Sequence, residues 1–182
     1  MLKAGDRAKD FALDSPRGPV RLSDAKGKYA VVYFYPRDNT PGCTREAQAF
    51  SKAAKAFTKA GAVVFGISKD SVESHGRFAD QCDLTIDLLS DPDLATHKAY
   101  GAYGEKTMYG KKVLGTIRST FIVDPAGKVL RVFPNVKVDG HAEAVLEAVL
   151  AFQGGTTPKA PAKKAPAKKA PAKKAAAKAS KP

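Results

Sequence analysis

This sequence has no run of about 18 apolar residues, the length a membrane-spanning helix requires. Its opening stretch, MLKAGDRAKDFAL, lacks the apolar core of a secretory leader. Both absences point to a cytoplasmic chain with no membrane partner. Cysteine is scarce, with Cys43 and Cys82 the only two among 182 residues. A reducing compartment disfavours a permanent disulfide and favours transient thiol chemistry. There is no Cys-x-x-Cys pair, which disfavours a dithiol oxidoreductase. His75, His97 and His141 are scattered without metal-ligand spacing, and no phosphate-binding glycine loop occurs. Neither a metal nor a cofactor is expected. His141, just after Asp139-Gly140, reads as a surface residue at a helix start.

Residues 154–182 lack acidic side chains, aromatics and arginine altogether, yet hold nine lysines. They account for most of the formal charge of +13, because residues 1–153 carry 22 Lys+Arg against 18 Asp+Glu. Ala-Pro-Ala-Lys-Lys occurs three times, at 160–164, 165–169 and 170–174. Proline at every fifth position breaks a helix, and nothing large and apolar is present to bury. The reading is therefore a globular domain over 1–153 and a disordered basic tail over 154–182.

With 43% apolar residues, the domain can bury a core. Residues 11–13 and 20–22 flank Ser-Pro-Arg-Gly-Pro, a hairpin signal. Residues 30–35 (AVVYFY) and 62–67 are unbroken apolar runs, typical of strands buried on both faces. Between them a helix is predicted over 41–59, with Cys43, Ala47, Phe50, Ala54 and Phe57 on one face. Ser71 caps a second helix to about residue 83. A short strand over 86–89 follows, and Asp91-Pro92 opens a small helix reaching Tyr100. Strands over 119–123 and 129–133 are joined by Asp-Pro-Ala-Gly, a turn signal, and an amphipathic helix over 141–152 closes the domain. This order predicts an α/β fold with a mixed central sheet flanked by helices.

The segment from Tyr35 to Glu46, YPRDNTPGCTRE, concentrates the chemistry. Thr40 reads as the N-cap, Pro41 as the first helical residue and Cys43 as the third, where a capping box places Glu or Gln. A thiol thus occupies a slot that suits an anion, and the free N–H groups and dipole of a helix start favour its thiolate. Ionisation alone is insufficient. A thiol of pKa ~8.5 is about 3% ionised at neutral pH, so full ionisation gains roughly 30-fold, part of which returns as lost nucleophilicity. Donors must also stabilise charge on a departing oxygen. By residue pattern alone, Cys43 is equally a small apolar residue on a helix face.

The run Pro36-x-x-x-Thr40-Pro41-Gly42-Cys43-Thr44-x-Glu46 resembles the peroxidatic motif of peroxiredoxins. The wider stretch YFYPRDNTPGCTRE is similar to the peroxiredoxin Q, or bacterioferritin comigratory protein, group. The likeness continues through Met108-Tyr109-Gly110-Lys111 and the segment from Arg118 to Asp124. It covers about residues 3–152. It implies a thioredoxin-like fold and reduction of hydrogen peroxide and organic hydroperoxides by Cys43. It also implies that Pro36 shields the pocket, Thr40 hydrogen-bonds the peroxide, Arg118 stabilises the sulfur, and Glu46 orients Arg118. Arg45, though nearer in sequence, should point away from Cys43 on its helix. Many members carry a resolving cysteine five residues after the first, where this chain has Gln48. Others place it where Cys82 stands, which implies an intramolecular Cys43–Cys82 disulfide, recycling by thioredoxin or a similar dithiol, and a monomer. Cys82 also shares a helix face with Phe78, so its own pattern equally fits a buried core residue.

Nine lysines in a flexible arm bind polyanions at low salt. Without aromatics or arginine, residues 159–181 should hold DNA non-specifically and place the protein at the nucleoid; the same composition equally fits an inert, solubilising extension. A non-enzymatic nucleic-acid binder is the rival reading. Replacing Cys43 separates the two, because binding would survive and peroxide turnover would not.

Overall fold

The structure is a computed structural model and describes residues 1–108 and 111–155. The tail from residue 156 onward and Tyr109-Gly110 of the likeness noted above lie outside the described residues.

The strands are β1 (Ala12–Ser15), β2 (Gly18–Arg21), β3 (Tyr29–Phe34), β4 (Ala62–Ser68), β5 (Asp87–Ser90), β6 (Tyr103–Met108), β7 (Lys111–Thr116), β8 (Ser119–Val123) and β9 (Val129–Phe133). The helices are α1 (Pro41–Lys59), α2 (Val72–Gln81), α3 (Ala95–Tyr100) and α4 (His141–Gln153). Seven strands form one mixed sheet in the order β2-β1-β5-β4-β3-β8-β9, and β6 pairs with β7 alone. β3 is an interior strand, parallel to β4 and antiparallel to β8. The parallel pairing requires a crossover, which α1 supplies. This is the expected α/β architecture, a mixed central sheet flanked by helices.

The period-two pattern of β3 divides the core. Val31, Tyr33 and Tyr35 join Phe50 and Phe57 of α1, Phe78 of α2 and Val145 and Val149 of α4 in one layer. Ala30, Val32 and Phe34 join Phe11, Tyr100 and Phe121 in the other. Each large side chain so buried contributes about 1.5–3 kcal/mol. The β8–β9 turn forms as its residues predict. Asp124 Oδ1 accepts the N–H groups of Ala126 (2.9 Å) and Lys128 (2.8 Å), and Gly127 takes φ +86, a left-handed conformation glycine adopts freely.

Two local expectations differ from the structure. Asp91-Pro92 does not open α3, which starts at Ala95 after Leu94 at φ 61. Asp91 is buried and accepts the N–H groups of Thr96 (3.2 Å) and His97 (2.8 Å), so it serves the helix start from outside the first turn. The β6–β7 hairpin escaped the sequence pattern, because YGEKTM and KKVLGT do not alternate cleanly between apolar and polar residues. Among the described residues, no helix is long and apolar enough to cross a membrane.

Candidate active site around Cys43

Strand β3 delivers the chain to the site. Beyond Phe34, Tyr35 N–H still bonds the Ile67 carbonyl at the end of β4 (3.1 Å). Half-buried Pro36 follows. Asn39 takes φ 55, a left-handed turn that asparagine tolerates, and swings the chain into Thr40 and α1. Thr40 occupies the N-cap position with extended backbone, but its side chain does not cap. The hydroxyl instead donates backward to the Arg37 carbonyl at 3.3 Å, which overturns the capping role read from sequence and leaves it beside the first turn. Cys43 is the third residue of α1 and only 2% exposed.

Arg118 arrives from far along the chain. It stands just before β8, and its neighbour Ile117 donates its N–H to the Ala102 carbonyl (2.7 Å) while its own carbonyl accepts from Val136 N–H (3.0 Å). So fixed, its Nη2 donates to Cys43 Sγ at 3.2 Å, and its Nη1 bonds Glu46 Oε2. The Glu46 side chain is 1% exposed and that of Arg118 17%. Glu46 lies one helical turn after Cys43, on the same face. Arg45 faces the other way and pairs with Asp139 at 3.2 Å, mostly in solvent.

The electrostatics follow from burial. Burial pushes the Glu46 carboxyl up to about 7 despite the pull of Arg118. For Arg118, burial works against the charge, but Glu46 and then Cys43 outweigh it and hold the guanidinium above its ordinary value. A permanent cation therefore touches the sulfur, with donors left for an oxygen approaching it. Lys106, unforeseen from sequence, adds a second cation. Its Nζ donates to the Thr116 carbonyl at 2.7 Å. Burial and then the nearby charge of Arg118 depress its pKa, while Cys43 raises it.

Because Glu46 is raised in the folded state, its contribution to stability is present below pH 4.5 and is lost as pH rises through about 7. The loss amounts to about 2 kcal/mol between pH 5 and 7. Urea unfolding of the protein and of Glu46→Gln at both pH values should show the wild type losing that much more. Equal losses would mean that Glu46 is already ionised at pH 5.

His141 corrects the expectation of a surface residue. It is 6% exposed, lies 2.8 Å through Nε2 from Thr120 Oγ1, and meets Phe50 and Phe133 edge-on. Burial, then the charge of Arg118, pushes it down to about 4, so it is neutral near pH 7. Cys82 is half-buried, not buried, at the C-cap of α2, and packs against the core layer that contains Cys43. Both thiols are free. Among the described residues, no group of three His, Cys, Asp or Glu is arranged to hold a metal ion. A groove of about 300 Å³ lined by Arg7, Asp10, Lys26, Lys28 and Asp124 lies at the opposite end of β3 and β8 and shares no residue with this site.

Both the sequence and the fold are similar to those of known proteins. The AhpC/TSA family profile matches residues 4–132. Peroxiredoxin Bcp of Escherichia coli is 41% identical over 146 residues, covering 80% of this chain and 94% of that protein. Peroxiredoxin Bcp of Xanthomonas campestris is 48% identical over 125 residues, or 69% and 78%. A solved structure of the X. campestris bacterioferritin comigratory protein superposes with TM-score 0.74 at 43% identity, covering 78% of this chain and 91% of that one. A cysteine-to-serine mutant of Xylella fastidiosa PrxQ gives 0.79 at 37% identity, covering 84% and 98%.

Proposed function

Because this chain belongs to the AhpC/TSA family as a peroxiredoxin, a thiol-dependent peroxidase, we propose that Cys43 is its attacking thiol and that Arg118, Thr40, Glu46 and Pro36 serve that attack. The observation that carries this reading is the 3.2 Å contact from the Arg118 guanidinium to the Cys43 sulfur. The thiolate attacks the nearer peroxide oxygen, an S–O bond forms, and the O–O bond breaks. The departing oxygen takes up a proton and leaves as water or an alcohol, while Cys43 becomes a sulfenic acid. Arg118 bridges sulfur and oxygen as charge passes between them. The Thr40 hydroxyl lies at the same helix start to bond the peroxide, and Pro36 covers the approach from β3. The substrates are hydrogen peroxide and organic hydroperoxides, the latter supported by the X. campestris relative, whose structures address alkyl peroxide reduction.

Cys82 then attacks the sulfenic sulfur, expelling water and forming an intramolecular disulfide in a monomer. Thioredoxin or a similar dithiol returns both thiols, itself becoming a disulfide. The test is the intact mass of the reduced protein seconds after one equivalent of hydrogen peroxide. A loss of ~2 Da, abolished by serine at either cysteine, is expected. A gain of ~16 Da at Cys43 in the unsubstituted chain would assign Cys82 to the core and demand an external thiol. No change would remove Cys43 from the chemistry.

The sequence of the basic tail supports a second role, retention of the peroxidase at DNA in the cytoplasm. Deleting residues 155–182 should abolish low-salt DNA binding in a gel-shift titration and leave the peroxidase rate unchanged. Equal affinity without the tail would overturn that role.

A further inference from the structure

A buried polar network outside the Cys43–Arg118 contact ties the loop before α1 to the helix that carries Cys82. Asp38, five residues before Cys43, is 5% exposed. Its carboxylate accepts from the Tyr35 hydroxyl (2.7 Å), from Ser74 Oγ (2.7 Å) and from His75 Nδ1 (2.9 Å). Its own N–H donates to Asp70 Oδ2 (2.9 Å), which Ser68 Oγ also bonds (2.7 Å). Burial opposes ionisation of Asp38, but the hydrogen bonds from His75, Tyr35 and Ser74 outweigh it and hold the carboxyl below its ordinary value. An acceptor-only carboxylate requires the hydrogen of His75 on Nδ1, and the imidazole is fully buried.

The placement of this pair gives it a consequence for turnover. Asp38 meets α2 in its first turn, at residues 74 and 75. Cys82 lies seven residues beyond His75, about 10 Å further along the helix axis. Cys43 is held at the opposite side of the same short loop, under Arg118. In the resolution step proposed above, Cys43 exchanges its contact with Arg118 for a bond to Cys82, and the loop that Asp38 ties to α2 moves with the start of α1.

We propose that Asp38 and His75 form a clamp that holds the Cys43 loop in the peroxide-reactive arrangement and opposes the opening that joins Cys43 to Cys82. This rests on the reading of Cys43 and Cys82 as attacking and resolving thiols. Asp38 and His75 are positioning residues. They touch neither sulfur, but they determine how the chain divides its time between the form that reacts with peroxide and the form that makes the disulfide. A clamp of this kind affects the two steps with opposite sign, whereas a general loss of stability does not.

The test uses the full-length chain. Sulfenic acid formation with hydrogen peroxide is timed in a Cys82→Ser background, and conversion of sulfenic acid to disulfide is timed with both cysteines present. His75→Ala should slow the first step by up to about tenfold, the most that one decade in the opening equilibrium removes from the closed form. It should speed the second by about tenfold, one decade in the opening equilibrium. His75→Asn, which keeps an N–H donor near the position of Nδ1, should return both rates to within about threefold of the parent. If His75→Ala does not fold, Ser74→Ala removes one donor to Asp38 at its partly exposed edge and should show the same opposed changes at about threefold each. Unchanged rates, or two rates falling together, would overturn the clamp. Absence of any sulfenic acid or disulfide in the unsubstituted chain would overturn the thiol reading, and the clamp with it.

Discussion

Replacing Arg118 with methionine should slow oxidation of Cys43 by hydrogen peroxide about 100- to 1,000-fold, the cost of losing one preorganised donor aimed at developing charge. The structure supplies the reason for so large an effect. The guanidinium is 17% exposed, fixed by Glu46, and in contact with the sulfur, so it needs no reorganisation when charge moves from sulfur to oxygen. Methionine fills much of the same volume without donors. It also leaves Glu46 without the partner that holds its pKa down, so the carboxyl takes up a proton and avoids the penalty of a lone buried charge. The variant should therefore fold, which circular dichroism will verify, and the loss will belong to chemistry. Arg118→Lys keeps a charge but loses the two-pronged contact to Glu46 and Cys43, and should fall between the two. Stopped-flow measurement under single-turnover conditions gives the rates directly. A loss below about fivefold would move the stabilisation to Lys106 or to the backbone N–H groups of α1.

Gly66→Ala should destabilise the fold by about 3 kcal/mol, the upper part of the range for overpacking a core. A Cβ at that position would lie 2.5 Å from the Tyr33 hydroxyl oxygen and 2.6 Å from Cζ of the same ring. The ring cannot retreat, because it is stacked between Phe50 at 4.7 Å and Tyr35 at 5.5 Å. Gly66 belongs to β4 at the centre of the sheet, paired with Tyr33 of β3 itself. A midpoint fall of roughly 6–12 °C in thermal unfolding is expected for a domain of this size. Gly76→Ala is the control. It sits inside α2, where an added Cβ would meet only Pro16 Cβ at 3.9 Å, and it should stabilise by about 0.5–1 kcal/mol through helix propensity. If Gly66→Ala unfolds at the parent temperature, the Tyr33 stack is looser than its geometry shows.

The sequence alone determined those features whose causes lie within a few residues. Pro41 at one end and the spacing of Cys43, Ala47, Phe50 and Phe57 place α1, and the apolar runs at β3 and β4 mark strands buried on both faces. Asp124 to Gly127 close β8 onto β9 by local hydrogen bonds. The motif around Cys43 was also legible, because the helix start and the residues that follow it are contiguous. Which distant groups reach that helix start is decided by tertiary structure, and from the sequence only the family resemblance pointed to Arg118. Arg118 stands 75 positions from Cys43, and His75 stands 37 from Asp38. No periodicity encodes either meeting, because each depends on the order in which β5, β4, β3 and β8 assemble. The same assembly buries His141 against Thr120 and Phe50, where its position after Asp139-Gly140 suggested solvent. Local chemistry selects the elements of this protein. The partners, burial and pKa values of its charged groups are set by packing across the sheet, because desolvation and Coulomb interactions act between whichever groups the fold brings together, whatever their separation along the chain.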